Sequence, residues 1–189
     1  MAFLRNRARP ALWSLTAGLA LLVARPAPAQ TVRASASEVQ AVFLFNFAQF
    51  VDWPAEAFAD PKEPLVIGIL GKDPFGAFLD ETVRGEVIRG RAFRIERYNR
   101  LAEVEGCHIL FISRSENKRL NDILVALKNR PVLTVSNGDD FDQPGGIIRF
   151  ILDENKVGLS IDLEAAQAAR LTFSSKLLRS AAITPPASR

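Results

Sequence analysis

Gly106-Cys107-His108-Ile109-Leu110-Phe111-Ile112-Ser113 is the stretch that decides the fold. Polar segments bound it, Glu103-Val104-Glu105 before and Arg114-Ser115-Glu116 after. A short apolar run without polar alternation reads as a strand covered on both faces, the habit of parallel sheets. A helical pattern follows at once. Ser113-Arg114-Ser115-Glu116 has capping-box spacing, and Leu120, Ile123, Leu124 and Leu127 supply an apolar stripe. Strand, tight turn and helix make half of a βαβ unit, which belongs at the middle of the sheet.

Outward from that stretch, the other segments repeat the theme. Residues 65–70 (LVIGIL) form a second short apolar strand, ending at Gly71-Lys72-Asp73-Pro74, where Asp73 and Pro74 open a helix over residues 75–83. Residues 92–98 (AFRIERY) and 132–135 (VLTV) read as further strands. Four strands with intervening helices predict a parallel α/β sheet. Residues 145–152 and 156–161 alternate around Asp153-Glu154-Asn155, a hairpin pattern, and Asp162 caps a helix to residue 169. Residues 174–182 form one more short helix. The expected fold is a single α/β domain, with a mainly parallel sheet flanked by helices and a C-terminal β-hairpin and helix.

The ends are of another kind. Arg5, Arg7 and Arg9 precede a 14-residue apolar stretch, residues 11–24, and Ala27-Pro28-Ala29 has the form of a cleavage site. Residues 1–29 are expected to be a cleaved signal peptide, residues 30–183 the domain, and residues 184–189 a disordered tail. The expected location is the periplasm. Cleavage removes four arginines and no acids, leaving 20 basic against 21 acidic residues, a net charge of −1. The basic pI therefore belongs to the precursor and gives no support to a nucleic-acid partner.

Residues 39–53 (VQAVFLFNFAQFVDW) are apolar almost all the way round a helix, with Asn46, Gln49 and Asp52 the polar exceptions. Such a helix is either core or shared with a partner. The sole histidine, His108, and sole cysteine, Cys107, are neighbours on one strand and point to opposite faces, so both read as structural. With one histidine and one cysteine there is no zinc site of the usual composition. Asp139, Asp140 and Asp142 match no calcium loop, so no metal is expected. Arg84, Arg89, Arg91, Arg94, Arg97 and Arg100 read as the charged edge of a sheet more than as an anion site.

Taken together, Asn46-Phe47-Ala48-Gln49-Phe50-Val51-Asp52-Trp53-Pro54, Gly71-Lys72-Asp73-Pro74-Phe75-Gly76, Cys107-His108-Ile109-Leu110-Phe111-Ile112-Ser113, Val132-Leu133-Thr134-Val135-Ser136 and Ser174-Ser175-Lys176-Leu177-Leu178-Arg179 resemble the YfiR family of exported bacterial regulators. The resemblance implies a periplasmic signalling regulator that is not an enzyme and carries no cofactor. It further implies an inner-membrane signalling partner such as a diguanylate cyclase, restrained in its cyclic-di-GMP synthesis, an outer-membrane lipoprotein as a second partner, and a homodimer. The internal disulfides of the family's best-known member cannot carry over to a chain with one cysteine.

The expected partner-binding residues are Phe43, Phe47 and Trp53, with Arg170 and Lys176 as charged contributors. The alternative function is a periplasmic small-ligand binder using the strand ends at Gly71, Ser113 and Ser136.

Overall fold

The computed structural model describes residues 34–138, 141, 145–153, 156–179 and 181–184, all within one unit, Arg33–Arg189. Residues 1–29, with their expected signal, lie outside the described residues, as do Asp139, Asp140 and Asp142.

The chain enters on helix α1 (Ala36–Phe50), opened by a capping box in which Ser35 Oγ accepts the Glu38 N–H and the Glu38 carboxylate accepts the Ser35 N–H. The helix stops well before Pro54, because Val51–Asp52 leaves as a two-residue strand, β1. Strand β2 (Leu65–Leu70) and helix α2 (Ala77–Val83) follow, then β3 (Val87–Ile88) and β4 (Arg91–Tyr98). The deciding stretch forms β5 (Ile109–Ile112), whose four residues are all buried. A 3-10 turn, Arg114–Arg119, leads into α3 (Leu120–Leu127), and β6 (Leu133–Ser136) completes the parallel core. Last come β7 (Ile148–Asp153), β8 (Lys156–Asp162), α4 (Leu163–Ala168), β9 (Thr172–Phe173), α5 (Ser175–Arg179) and β10 (Ala182–Thr184).

The main sheet runs β10-β8-β7-β6-β5-β2-β4-β3, antiparallel only at β7–β8 and β3–β4. The mainly parallel α/β fold and the C-terminal hairpin are as the sequence predicts, and β5 is central. Four short strands escape the sequence reading, β1 and β3 among them, and the other two lie at the C-terminal end. β9 pairs with β1 in a separate two-stranded ribbon, and β10 lies parallel to β8, with Thr184 opposite Asp162. Thr184, assigned by composition to the tail, thus ends an edge strand, and residues 185–189 lie outside the described residues.

Strand alternation sorts the core into two layers. Ile67, Ile69, Ile109, Phe111, Leu133 and Val135 face Ala41, Leu44, Phe47 and Ala48 of α1 and Leu79 and Val83 of α2. Leu70, Leu110 and Ile112 face Leu120, Ile123, Leu124 and Leu127 of α3, together with Tyr98, Val104 and Cys107.

Candidate partner-binding surface

The apolar circumference of α1 divides unequally. Ala41, Leu44, Phe47 and Ala48 are at most 1% exposed, and Phe47 stacks on Phe150 of β7 with ring centroids 6.2 Å apart. Phe47 is therefore core, and no partner reaches it while the domain stays folded. Phe43 is half-buried, tilted against Phe150 at 6.0 Å. Phe45 meets Phe93 of β4 at 5.3 Å, and Val42 is 40% exposed.

At its C-terminal end the helix meets the last third of the chain, which brings the other expected residues together. Val51 pairs with Phe173 and Asp52 with Thr172, and the Ser174 N–H donates to the Phe50 carbonyl (2.8 Å). Lys176 Nζ stands 5.3 Å above the Phe50 ring. Arg170 pairs with Glu56 just beyond Trp53. Trp53 is half-buried, and its indole N–H donates to the His108 carbonyl (3.2 Å). Phe50, Trp53, Glu56, Arg170, Phe173 and Lys176 thus form one mixed aromatic and charged rim.

Arg170 has a conformation that favours glycine. Its φ is +58°, where it closes α4 through a bond from its N–H to the Gln167 carbonyl (2.9 Å). Helices commonly place glycine at such a position.

The other sequence features are absorbed by the fold. Cys107 is 5% exposed among Gly68, Tyr98 and Leu110, and burial pushes its thiol up to about 12. Its Sγ lies 3.1 Å from the Ile109 carbonyl, an acceptor that a serine hydroxyl can also use. Cys107→Ser should therefore cost only about 1 kcal/mol, the low end for burying a hydroxyl. A denaturant midpoint checks this, and the native wild-type thiol should resist labelling at neutral pH.

The basic run is exposed along most of its length, with much of it in ion pairs. Arg89 pairs with Asp52 and donates to the Gln49 carbonyl (3.2 Å). Arg91 donates to the Asp60 and Glu63 carbonyls (2.9 and 2.7 Å). Arg94 pairs with Glu96, Arg97 with Asp73 and Asp80, and Arg100 with Glu103. Arg89, Arg91 and Arg97 tie α1, the β1–β2 connection and α2 to the sheet edge.

The strand ends expected for a small ligand in the alternative reading are joined by local contacts. The chain order reverses between β2 and β5, where open α/β sheets usually hold ligands. There Ser115 Oγ accepts the Lys72 N–H (2.9 Å), and a Cβ on Gly71 would come within 2.8 Å of Glu116 Cγ. Ser136 Oγ donates to the Ile112 carbonyl (2.7 Å) and accepts the Gly138 N–H (3.1 Å). The 3-10 turn after β5 thus packs close against the end of β2.

A family profile described as YfiR/HmsC-like matches residues 37–182, from the second residue of α1 to the first of β10. The chain belongs to the YfiR/HmsC-like family. No curated protein matches it. A YfiR/HmsC-like chain belongs to a family of periplasmic, non-catalytic regulators of signalling that act through partner proteins. Among the described residues of this YfiR/HmsC-like protein, no helix is long and apolar enough to cross a membrane. Sequence reasoning missed Phe50, Glu56 and Phe173 in the rim. The alternating FLFNFAQF pattern spreads aromatics round α1 and conceals which of them turns towards the C-terminal segment.

Proposed function

We propose that this protein is a periplasmic regulator that works by contact, docking the rim formed by the end of α1 and the C-terminal segment onto the periplasmic part of an inner-membrane signalling protein. A diguanylate cyclase is the partner that the family assignment favours, with cyclic-di-GMP synthesis restrained in the complex. The observation that carries the reading is the family match over 37–182, the span that builds this rim. Its chemistry suits a protein contact: Phe50, Trp53 and Phe173 are half-buried, with Phe43 further back along α1, and Arg170 and Lys176 are exposed. Interfaces enrich aromatic residues and arginine at their centres. A second copy of the chain and an outer-membrane lipoprotein are further proposed occupants, competing for the same rim.

The test is made in cells. Deleting the gene should raise cyclic-di-GMP, and the wild-type gene should restore it. Arg170→Gly combined with Lys176→Ala should fail to restore it, although the exported protein accumulates normally. Arg170→Gly relieves the positive φ and removes only an exposed ion pair, so folding should be unharmed. Full restoration by the double variant would remove the rim from the proposal.

A further inference from the structure

His108 is buried at a joint between two segments of chain. Its Nδ1 accepts the N–H of Val66, the second residue of β2 (3.1 Å), so Nε2 carries the ring proton and donates to the Ala57 carbonyl (3.1 Å). Ala57 closes a 3-10 turn, Ala55–Ala57, in the long connection from β1 to β2. Phe58 stacks on the imidazole, with ring centroids 4.3 Å apart and planes 18° from parallel. The Arg91 guanidinium covers the other face of Phe58 at 3.6 Å. The carbonyl of His108 itself holds the Trp53 indole. Residues 53–58 are thus tied to the sheet by this side chain and its own backbone, alongside the Arg91–Phe58 and Arg170–Glu56 contacts.

We propose that His108 is a proton-operated latch, which clamps residues 53–58 to the ends of β2 and β5 when neutral and releases them when protonated. Both ring nitrogens are committed, and only the neutral ring fits. A proton on Nδ1 sets a donor against the Val66 N–H and breaks that bond. The charged ring cannot stay buried there beside Arg91 and Arg94, and its departure takes the Ala57 bond and the Phe58 stack with it.

The charged groups around the ring are Glu63 on the connecting segment, which favours the proton, and Arg91 and Arg94 of β4, which oppose it. Burial is the largest effect and, with Arg91 and Arg94, outweighs the Ala57 carbonyl and Glu63, which pushes the imidazole below its ordinary 6.5. The folded protein therefore binds fewer protons than the unfolded chain below that pH. The latch's stabilisation is complete above about 6.5 and is lost as the pH falls through the lowered value. Glu56 sits in this segment and pairs with Arg170, so release also reshapes the rim. That consequence alone rests on the partner-binding reading.

The chain suits a direct test. Expressed from Gln30, it contains one histidine, His108, and one tryptophan, Trp53. Imidazole NMR then follows the proton, and iodide quenching of Trp53 follows the segment, between about pH 7 and 4.5. The expected result is a several-fold rise in quenching with the same midpoint as the imidazole titration, below 6.5, while the far-UV circular dichroism is unchanged. His108→Gln should lose the transition, since an amide can accept from Val66 and donate to Ala57 without titrating. An imidazole titrating at or above 6.5, quenching that does not follow it, or quenching that rises only with loss of the far-UV signal would each overturn the latch. So would an unaltered transition in a folded His108→Gln. Should that variant not fold, the two wild-type midpoints decide the matter.

Discussion

Phe47→Ala should lose about 3–5 kcal/mol of stability, the usual cost of truncating a fully buried aromatic. Phe47 is 0% exposed and stands among Phe43, Phe150 and the α1 face of the sheet, so the vacated volume has no easy way to collapse. Chemical denaturation measures it, and a loss under about 2 kcal/mol would mean that the helix can settle into the gap. The comparison with Phe43→Ala is informative, because Phe43 is one turn away on the same helix and only half-buried. Phe43→Ala should cost clearly less stability and act more on binding. Equal losses from both would make the whole aromatic series of α1 core and remove it from the interaction surface.

Gly68→Val should cost about 3 kcal/mol, at the upper end for overpacking a core. Gly68 lies mid-strand in β2, on the α3 side of the sheet, and a Cβ there would stand 2.5 Å from Tyr98 Cε2 and 2.8 Å from Cys107 Sγ. Neither neighbour gives way readily. Tyr98 is 5% exposed and its hydroxyl donates to Glu96 (3.1 Å), while Cys107 is fixed between β2 and β5. Gly68→Val combined with Cys107→Ala should recover part of the loss, because the smaller side chain opens space where the new methyls arrive. No recovery would place the obstruction at Tyr98 alone. The glycine in LVIGIL thus marks a close approach of side chains from neighbouring strands.

The parallel sheet was legible because its strands are short, apolar and unalternated, and β5 shows this most plainly, buried at all four residues. The hairpin of β7 and β8 announced itself by alternation and a turn. The 3-10 turn after β5 did not, because a capping-box spacing reads alike whether the next residues wind as α or 3-10. Here Ser113 caps Ser115, and Glu116 pairs with Arg119 instead of closing the box. β1, β3, β9 and β10 went unread for a simpler reason. Strands of two and three residues carry no periodicity, and tertiary pairing alone defines them.

The candidate surface was half legible. Composition could tell that α1 carries more aromatics than one side of a small sheet covers, but a helix apolar on every side does not say which ring turns inward. Packing against β7 decides it, taking Phe47 into the core and leaving Phe43 at its margin. Arg170 and Lys176 were identifiable as charges near the C-terminus. Their convergence with Trp53 depends on the β1–β9 ribbon, a contact across more than a hundred residues of sequence.

The account stands on one physical claim, that this protein restrains a membrane signalling enzyme by binding it through that rim. Calorimetric titration of the chain from Gln30 against the periplasmic domain of a diguanylate cyclase from the same genome tests it directly. The wild type should bind saturably. Arg170→Gly with Lys176→Ala should bind at least about tenfold more weakly, a difference of about 1.4 kcal/mol, with an undiminished melting temperature. Wild-type binding that the double substitution leaves unchanged, or no heat of association with any such domain, would contradict the account.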